Sequence, residues 1–236
     1  MKDEDPRLAA ARNNAAWCHA VARSHGAVGR FDEDAWTCPT RTPTYYPDAV
    51  TLADGVDPAR LLARIDVASP GASVKDSFAA LDLAPYGFKV LFDARWIARP
   101  AASPPPPADA LRWARIAEAY GLAAWEEAWR GDDGPEGTFR PELLADPSIA
   151  VLAGRRDGRV VAGAVVHRAA GVLGVGNVFA SSPDDSPWAG SIALASRLFL
   201  GLPLVGYESG DDLAAACRHG FRPIGGLRVW AHAGTG

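Results

Sequence analysis

The chain has 236 residues and a formal net charge of −4, with 24 Lys and Arg against 28 Asp and Glu. That balance excludes the global basic field that draws a protein onto nucleic acid, and no run approaches the roughly eighteen apolar residues of a membrane span. The acidic start, MKDEDPR, is unlike a signal peptide, so the expectation is a soluble cytoplasmic protein with neither nucleic-acid nor membrane partners.

The first predicted element is a helix over Asn13–His25, with Trp17 and Val21 on its apolar face. The stretch TCPTRTPTYYPD, rich in Pro and Thr, reads as an irregular covering loop. A short strand follows at Ala49–Leu52, then a helix over Pro58–Ile65 that opens on proline. Ser73–Leu81 reads as a further helix, and FKVLFDARWI, after Gly87, as a strand of branched and aromatic residues. The clearest boundary is RPAASPPPPADA, a polyproline connector that no helix or central strand can accommodate.

Beyond it, Trp113, Ile116 and Tyr120, then Leu122, Trp125 and Trp129, fall at helical spacing across Ala108–Arg130, as two helices or one kinked at Gly121. A short helix near Pro141–Leu144 comes next. IAVLAGRRDGRVVAGAVVH reads as two strands around a tight Asp157-Gly158 hairpin, and VLGVGNVFA as a third. Helix SIALASRLF, strand LPLVGYE, helix DDLAAACRHG and strand RPIGGLRVW complete the run. In the last helix Asp211 or Asp212 is the expected N-cap and Gly220 the left-handed terminator. SVKDSFAALDLAPYGFKVLFDARW matches the close of the chain as helix, Gly-Phe, strand, Trp. A degenerate half-repeat and the common geometry of a helix leading into a strand account for this equally well.

With FKVLFDARWI placed first, the order of helix, short helix, three meandering strands, helix, strand, helix and strand resembles the GNAT acyltransferase superfamily. The resemblance spans about Gly87–His232 and is strongest over Ile149–Trp230. It implies an α/β fold with a mixed central sheet and flanking helices: an N-terminal α/β extension over 1–86, packed on a GNAT-like domain over 87–236 that carries the Pro-rich connector at 99–108. It also implies an acyl-CoA-dependent N-acyltransferase, acetyl-CoA or another acyl-CoA being the co-substrate and a small-molecule or protein amine the acceptor. In such folds the pantetheine arm enters between the fourth and fifth strands, here Val172–Ala180 and Leu204–Glu208. Exposed N–H groups of Asn177, Val178 and Ala180 would then bond its carbonyls, with Phe179 in the same cofactor-binding run, and Trp188, Ala189, Gly190 and Ser191 would lie by the phosphates at a helix N-terminus. The family's phosphate loop, Arg/Gln-x-x-Gly-x-Gly/Ala, is replaced by SSPDDSPWAGS, which has no basic head and carries Asp184 and Asp185. A Tyr frequently used as general acid is here Ala216.

Amine acylation needs a proton acceptor. Glu208, ending its strand, is either that base or a cap for the next helix. His167 is the second catalytic candidate, with His232 a further proton carrier. Trp188 either covers the cofactor or docks on the core. Cys18, Cys38 and Cys217 are odd in number and far apart, so reduced thiols are expected rather than disulfides. Neither Cys18–His19 nor Cys217…His219 has the paired spacing of a zinc module. Hydrolase, nucleotidase and dinucleotide fingerprints do not occur. Two functional classes remain: the acyltransferase, and a catalytically silent member of the same fold that binds a ligand or a partner protein.

Overall fold

The computed structural model describes residues 5–106, 110–132, 134–182 and 186–232. In chain order these form α1 (Pro6–Ser24), β1 (Arg30–Phe31), β2 (Ala35–Thr37), β3 (Ala49–Thr51), α2 (Pro58–Leu62), β4 (Ser73–Asp76), β5 (Phe88–Arg99) and β6 (Arg112–Arg115). Then come α3 (Ala119–Arg130), β7 (Ile149–Arg156), β8 (Arg159–Ala169), β9 (Val172–Ala180), α4 (Pro187–Leu198), β10 (Leu204–Glu208), α5 (Gly210–Arg218) and β11 (Arg222–His232). Mixed sheet with flanking helices is the expected class, and it is what the chain forms. The chain divides into two compact units, one of residues 1–97, 207–209 and 223–236, the other of residues 98–206 and 210–222.

In the first unit the strand order is β1-β2-β3-β4-β11-β5, with β3 and β4 parallel and β4 and β11 antiparallel. Helix α1 starts earlier than its apolar spacing suggests, because Asp5 caps it through the Arg7 amide at 2.9 Å and Pro6 sets the first turn. Its buried alanines (Ala10, Ala11, Ala15 and Ala22) carry little apolar volume, so the periodicity signal begins only at Trp17.

Ser73–Leu81 is not a helix. Residues 73–76 form β4, whose pairing on both sides outweighs a weak helical pattern, and Asp76 ends it by accepting the amides of Leu81 at 2.8 Å and Phe78 at 3.2 Å. The helix on which the repeated pattern rested is therefore missing from this stretch. Nor is the Pro/Thr segment merely a cover. Buried Asp48 accepts from the Thr42 amide at 3.0 Å and the Ser73 amide at 2.9 Å, and pairs with Arg41. Lys75 is buried too: its Nζ donates to Asn14 Oδ1 at 2.9 Å and lies 4.1 Å from the centre of the Tyr207 ring.

In the second unit the order is β10-β9-β8-β7-β6, with β9–β10 parallel and the remaining pairs antiparallel. The expected hairpin closes at Asp157 (φ 50°) and Gly158 (φ 81°), positive at both central positions as a two-residue turn requires. Arg112–Arg115, read from its spacing as helix, is instead edge strand β6, paired from Arg112↔Arg155 to Arg115↔Leu152. Tyr120, the third member of that supposed stripe, is 80% exposed. Strand β5, read as the opening strand of the C-terminal body, has Phe88–Ile97 in the first unit, and β6 is the strand that precedes α3.

The two faces of this sheet are set by register. Gly163 pairs with Ala153 and turns to the α3 side, where a Cβ on it would meet Trp125 Nε1 at 2.3 Å. Gly154 turns the other way, against Trp113. Fully buried Trp125 donates to Leu152 O at 2.9 Å and stands edge-on to Phe139 and Phe179. Glu126 secures the loop after α3 by accepting the amides of Gly137 (3.1 Å) and Phe139 (2.9 Å).

Candidate functional site

Strand β9 breaks its register at one place. It pairs with β8 through Val165↔Gly176 and resumes at Gly163↔Phe179, so three steps on β9 oppose two on β8. The extra residue lies next to Asn177, which has φ 51°. Asparagine enters the left-handed region more readily than other residues with a Cβ, and this makes a bulge without glycine. On its other edge β9 pairs with β10 at Leu173↔Leu204 and Gly174↔Val205, and among the described residues the register ends there.

This combination turns amides outward. The Leu173 amide donates to Pro203 O at 2.9 Å, on the β10 side, and that of Ser181 to Val161 O at 2.8 Å, on the β8 side. Amides alternate between the two edges of a strand, with one step lost at the bulge. The Val175 amide, on the β10 side, belongs to the ladder through the parallel Gly174↔Val205 pair, whereas those of Val178 and Ala180 point to the β10 side beyond the last paired residue. The Phe179 amide points to β8, and its ring packs on Trp125 at 5.3 Å.

Helix α4 begins just after β9. Asp184 and Asp185 lie outside the described residues. Ser186, the N-cap, makes no side-chain capping bond; its Oγ lies 3.3 Å from His219 Nε2. Of the residues expected near phosphate, Trp188 is buried and stands edge-on to Phe221 at 5.2 Å. Ala189 is buried, and the Ser191 hydroxyl is taken up by the carbonyls of Pro187 (2.5 Å) and Trp188 (3.1 Å). A Cβ at Gly190 would fall 1.8 Å from Trp113 Nε1. These side chains build the helix into the core, so what they can offer a ligand is the backbone amides of the first turn.

His167 is buried on the α3 face of β8, between Ile149 of β7 and Gly174 of β9. Glu208 ends β10 half-buried, three residues after the last β9 pair, and lies within the first unit. Helix α5 begins at Gly210, before Asp211 and Asp212, which occupy its first turn instead of capping it. At the far end Gly220 (φ 86°) closes the helix as expected, with Phe221 N–H donating to Ala216 O at 3.3 Å.

Sequence reasoning missed a cavity of about 650 Å³ in the second unit, lined by Arg99, Pro104–Pro106, Cys217, Arg218, His219 and Arg222 among others. Arg99 donates from Nε to His219 O at 3.0 Å and from Nη2 to Pro104 O. Burial first, then the nearby Arg218 and Arg99, holds His219 below the usual imidazole range. The arginines were visible as composition. Their meeting depends on a contact across 120 positions in sequence, which no local pattern announces.

No protein-family model matches the sequence, and neither does any curated protein. The fold is similar to that of a GCN5-related N-acetyltransferase from Kribbella flavida, with TM-score 0.67, 22% identity and 96% of each chain covered. It is also similar to a putative acetyltransferase of the GNAT family from Novosphingobium aromaticivorans, with TM-score 0.55 and 13% identity over 93% of this chain and 96% of that one. A functionally unknown conserved protein from Staphylococcus epidermidis matches with TM-score 0.58 and 9% identity, over 75% and 77% of the two chains. The chain thus has the GNAT-like α/β fold; at these identities the likeness speaks for the fold alone.

Proposed function

We propose that this chain is an acyl-CoA-dependent N-acyltransferase, with acetyl-CoA or another acyl-CoA as acyl donor and a small-molecule or protein amine as acceptor. The observation that carries the reading is the bulge at Asn177 beside the early end of β9–β10 pairing, which leaves the Val178 and Ala180 amides directed outward. Preorganised amides of this kind suit a thioester carbonyl whose oxygen gains charge as it is attacked. The amine nitrogen would add to that carbonyl carbon, the C–S bond would break, and an amide and a thiol would result. Glu208 is the base we assign to the proton lost by the attacking ammonium.

A second reading, a silent binding module, is favoured by Ala216, which is fully buried and carries no exchangeable side-chain proton. Release of free thiol from acetyl-CoA in the presence of a panel of amines separates the two. Amine-dependent release supports the enzyme. Coenzyme A binding without release from any amine supports the silent module.

A further inference from the structure

The cavity of the second unit gathers positive charge among its lining residues. Arg99 is 4% exposed, and both of its hydrogen-bond acceptors, His219 O and Pro104 O, are neutral carbonyls. Arg218 and Arg222 form no ion pair among the described residues, and no Asp or Glu is among the described lining residues. Three arginines, Arg99 buried and Arg218 and Arg222 exposed, therefore line a single space, and charge of one sign gathered there favours an anion. Guanidinium is also the side chain whose fork of donors matches phosphate oxygens.

Position adds to charge. His219, on the cavity wall, contacts Ser186, the N-cap of α4, at 3.3 Å. The segment before that helix, Ser181–Ser186, contains no Lys or Arg. Walls of Pro100, Pro104–Pro106 and Phe221 supply apolar surface next to the arginines, and the volume falls within the few hundred to about 1,000 Å³ of ordinary small-molecule pockets.

We propose that this cavity binds a phosphate-bearing organic ligand, its arginines providing the positive charge that the segment ahead of α4 lacks. If the acyl-CoA reading holds, the ligand is the phosphate end of coenzyme A; if it does not, the ligand is a free nucleotide of the same chemistry. Cys217, on the cavity wall, is the exposed cysteine of the chain, while Cys18 and Cys38 are buried. It serves as a reporter.

The test titrates coenzyme A, dephospho-coenzyme A, ADP and inorganic pyrophosphate into the whole protein by calorimetry and follows alkylation of Cys217 in parallel. The same is done for Arg218→Glu and Arg222→Glu, both exposed positions at which folding is checked by thermal melting. The inference expects at least one of these anions to bind and to slow Cys217 alkylation, with affinity falling about tenfold or more in each charge reversal. Loss of affinity from coenzyme A to dephospho-coenzyme A places the 3′-phosphate in the cavity; equal binding of ADP places a diphosphate there. Absence of binding by all four, or binding that neither reversal weakens and that leaves Cys217 unprotected, overturns the inference. Binding and protection without thiol release from any amine sink the acyltransferase alone, whereas thiol release with an unchanged KM for acyl-CoA in both reversals sinks the cavity alone.

Discussion

Gly190→Ala probes what the glycine at the start of α4 is for. Its Cβ would sit 1.8 Å from Trp113 Nε1, 2.2 Å from Cδ1 and 2.3 Å from Cε2. The indole cannot simply step back, because Gly154 borders it as well, with its own Cβ position 2.8 Å from the ring. Replacing a helical glycine by alanine ordinarily gains about 1 kcal/mol. Overpacking a filled core costs about 1–3 kcal/mol, and a ring hemmed in by two backbones belongs at or above the top of that range. The net expectation is a loss of about 2 kcal/mol, or a fall in Tm of roughly 4–8 °C for a chain of this size. Thermal and urea unfolding would measure it. The same change in a Trp113→Leu background should be neutral or stabilising, giving a coupling of about 2 kcal/mol in the double-mutant cycle. An unchanged or raised Tm for the single variant refutes the close approach and returns Gly190 to a ligand-binding explanation.

Further expectations address the bulge, the base, the core and pH. Asn177→Gly should keep its stability within about 0.5 kcal/mol, while Asn177→Val should lose about 1–2 kcal/mol, since a branched residue resists φ 51°; equal melting of the two would deny the positive φ. Glu208→Gln should retain coenzyme A affinity and Tm while turnover falls about a hundredfold or more; a drop in Tm with turnover intact assigns Glu208 to the fold. Trp125→Phe should cost about 1–3 kcal/mol by urea unfolding, because the buried Leu152 carbonyl loses its donor. Burial raises the Asp76 carboxyl above its usual range despite its amide donors. Protonation is then favoured in the folded state, so the associated stability is present below about pH 4 and is lost as pH rises through the folded pKa. Relative to Asp76→Asn, the wild type should lose stability as pH rises above about 4; the opposite slope would mean that the amides outweigh burial.

The second half of the chain was the more legible. Asp157-Gly158, the runs of β-branched residues and the Gly-Phe exit each impose a local conformation that survives in the fold, at β7–β8, β9 and the end of α5. The failures share a cause. Ser73–Asp76 and Arg112–Arg115 are short strands in stretches whose apolar residues (Val74, Phe78, Leu81; Trp113, Ile116, Tyr120) recur every three or four positions. Cross-strand pairing, from Arg228↔Asp76 in one case and Arg155↔Arg112 in the other, decides their conformation. At the candidate site the positive φ lies at Asn177, where the sequence shows only a side chain that permits it. Trp188 was open between covering a ligand and packing on the core, and it is packed on Phe221. The arginine cavity was not legible at all, since its walls come from a connector and a helix exit that meet only in the folded chain.

Amide chemical-shift mapping of the isotopically labelled protein with coenzyme A tests the acyl-donor site most directly. The account predicts saturable shifts at Val178 and Ala180 of β9 and in the first turn of α4, with Gly163 and Val165 of β8 little changed. Shifts confined to residues 5–97, or no shift at any amide at millimolar coenzyme A, would contradict it.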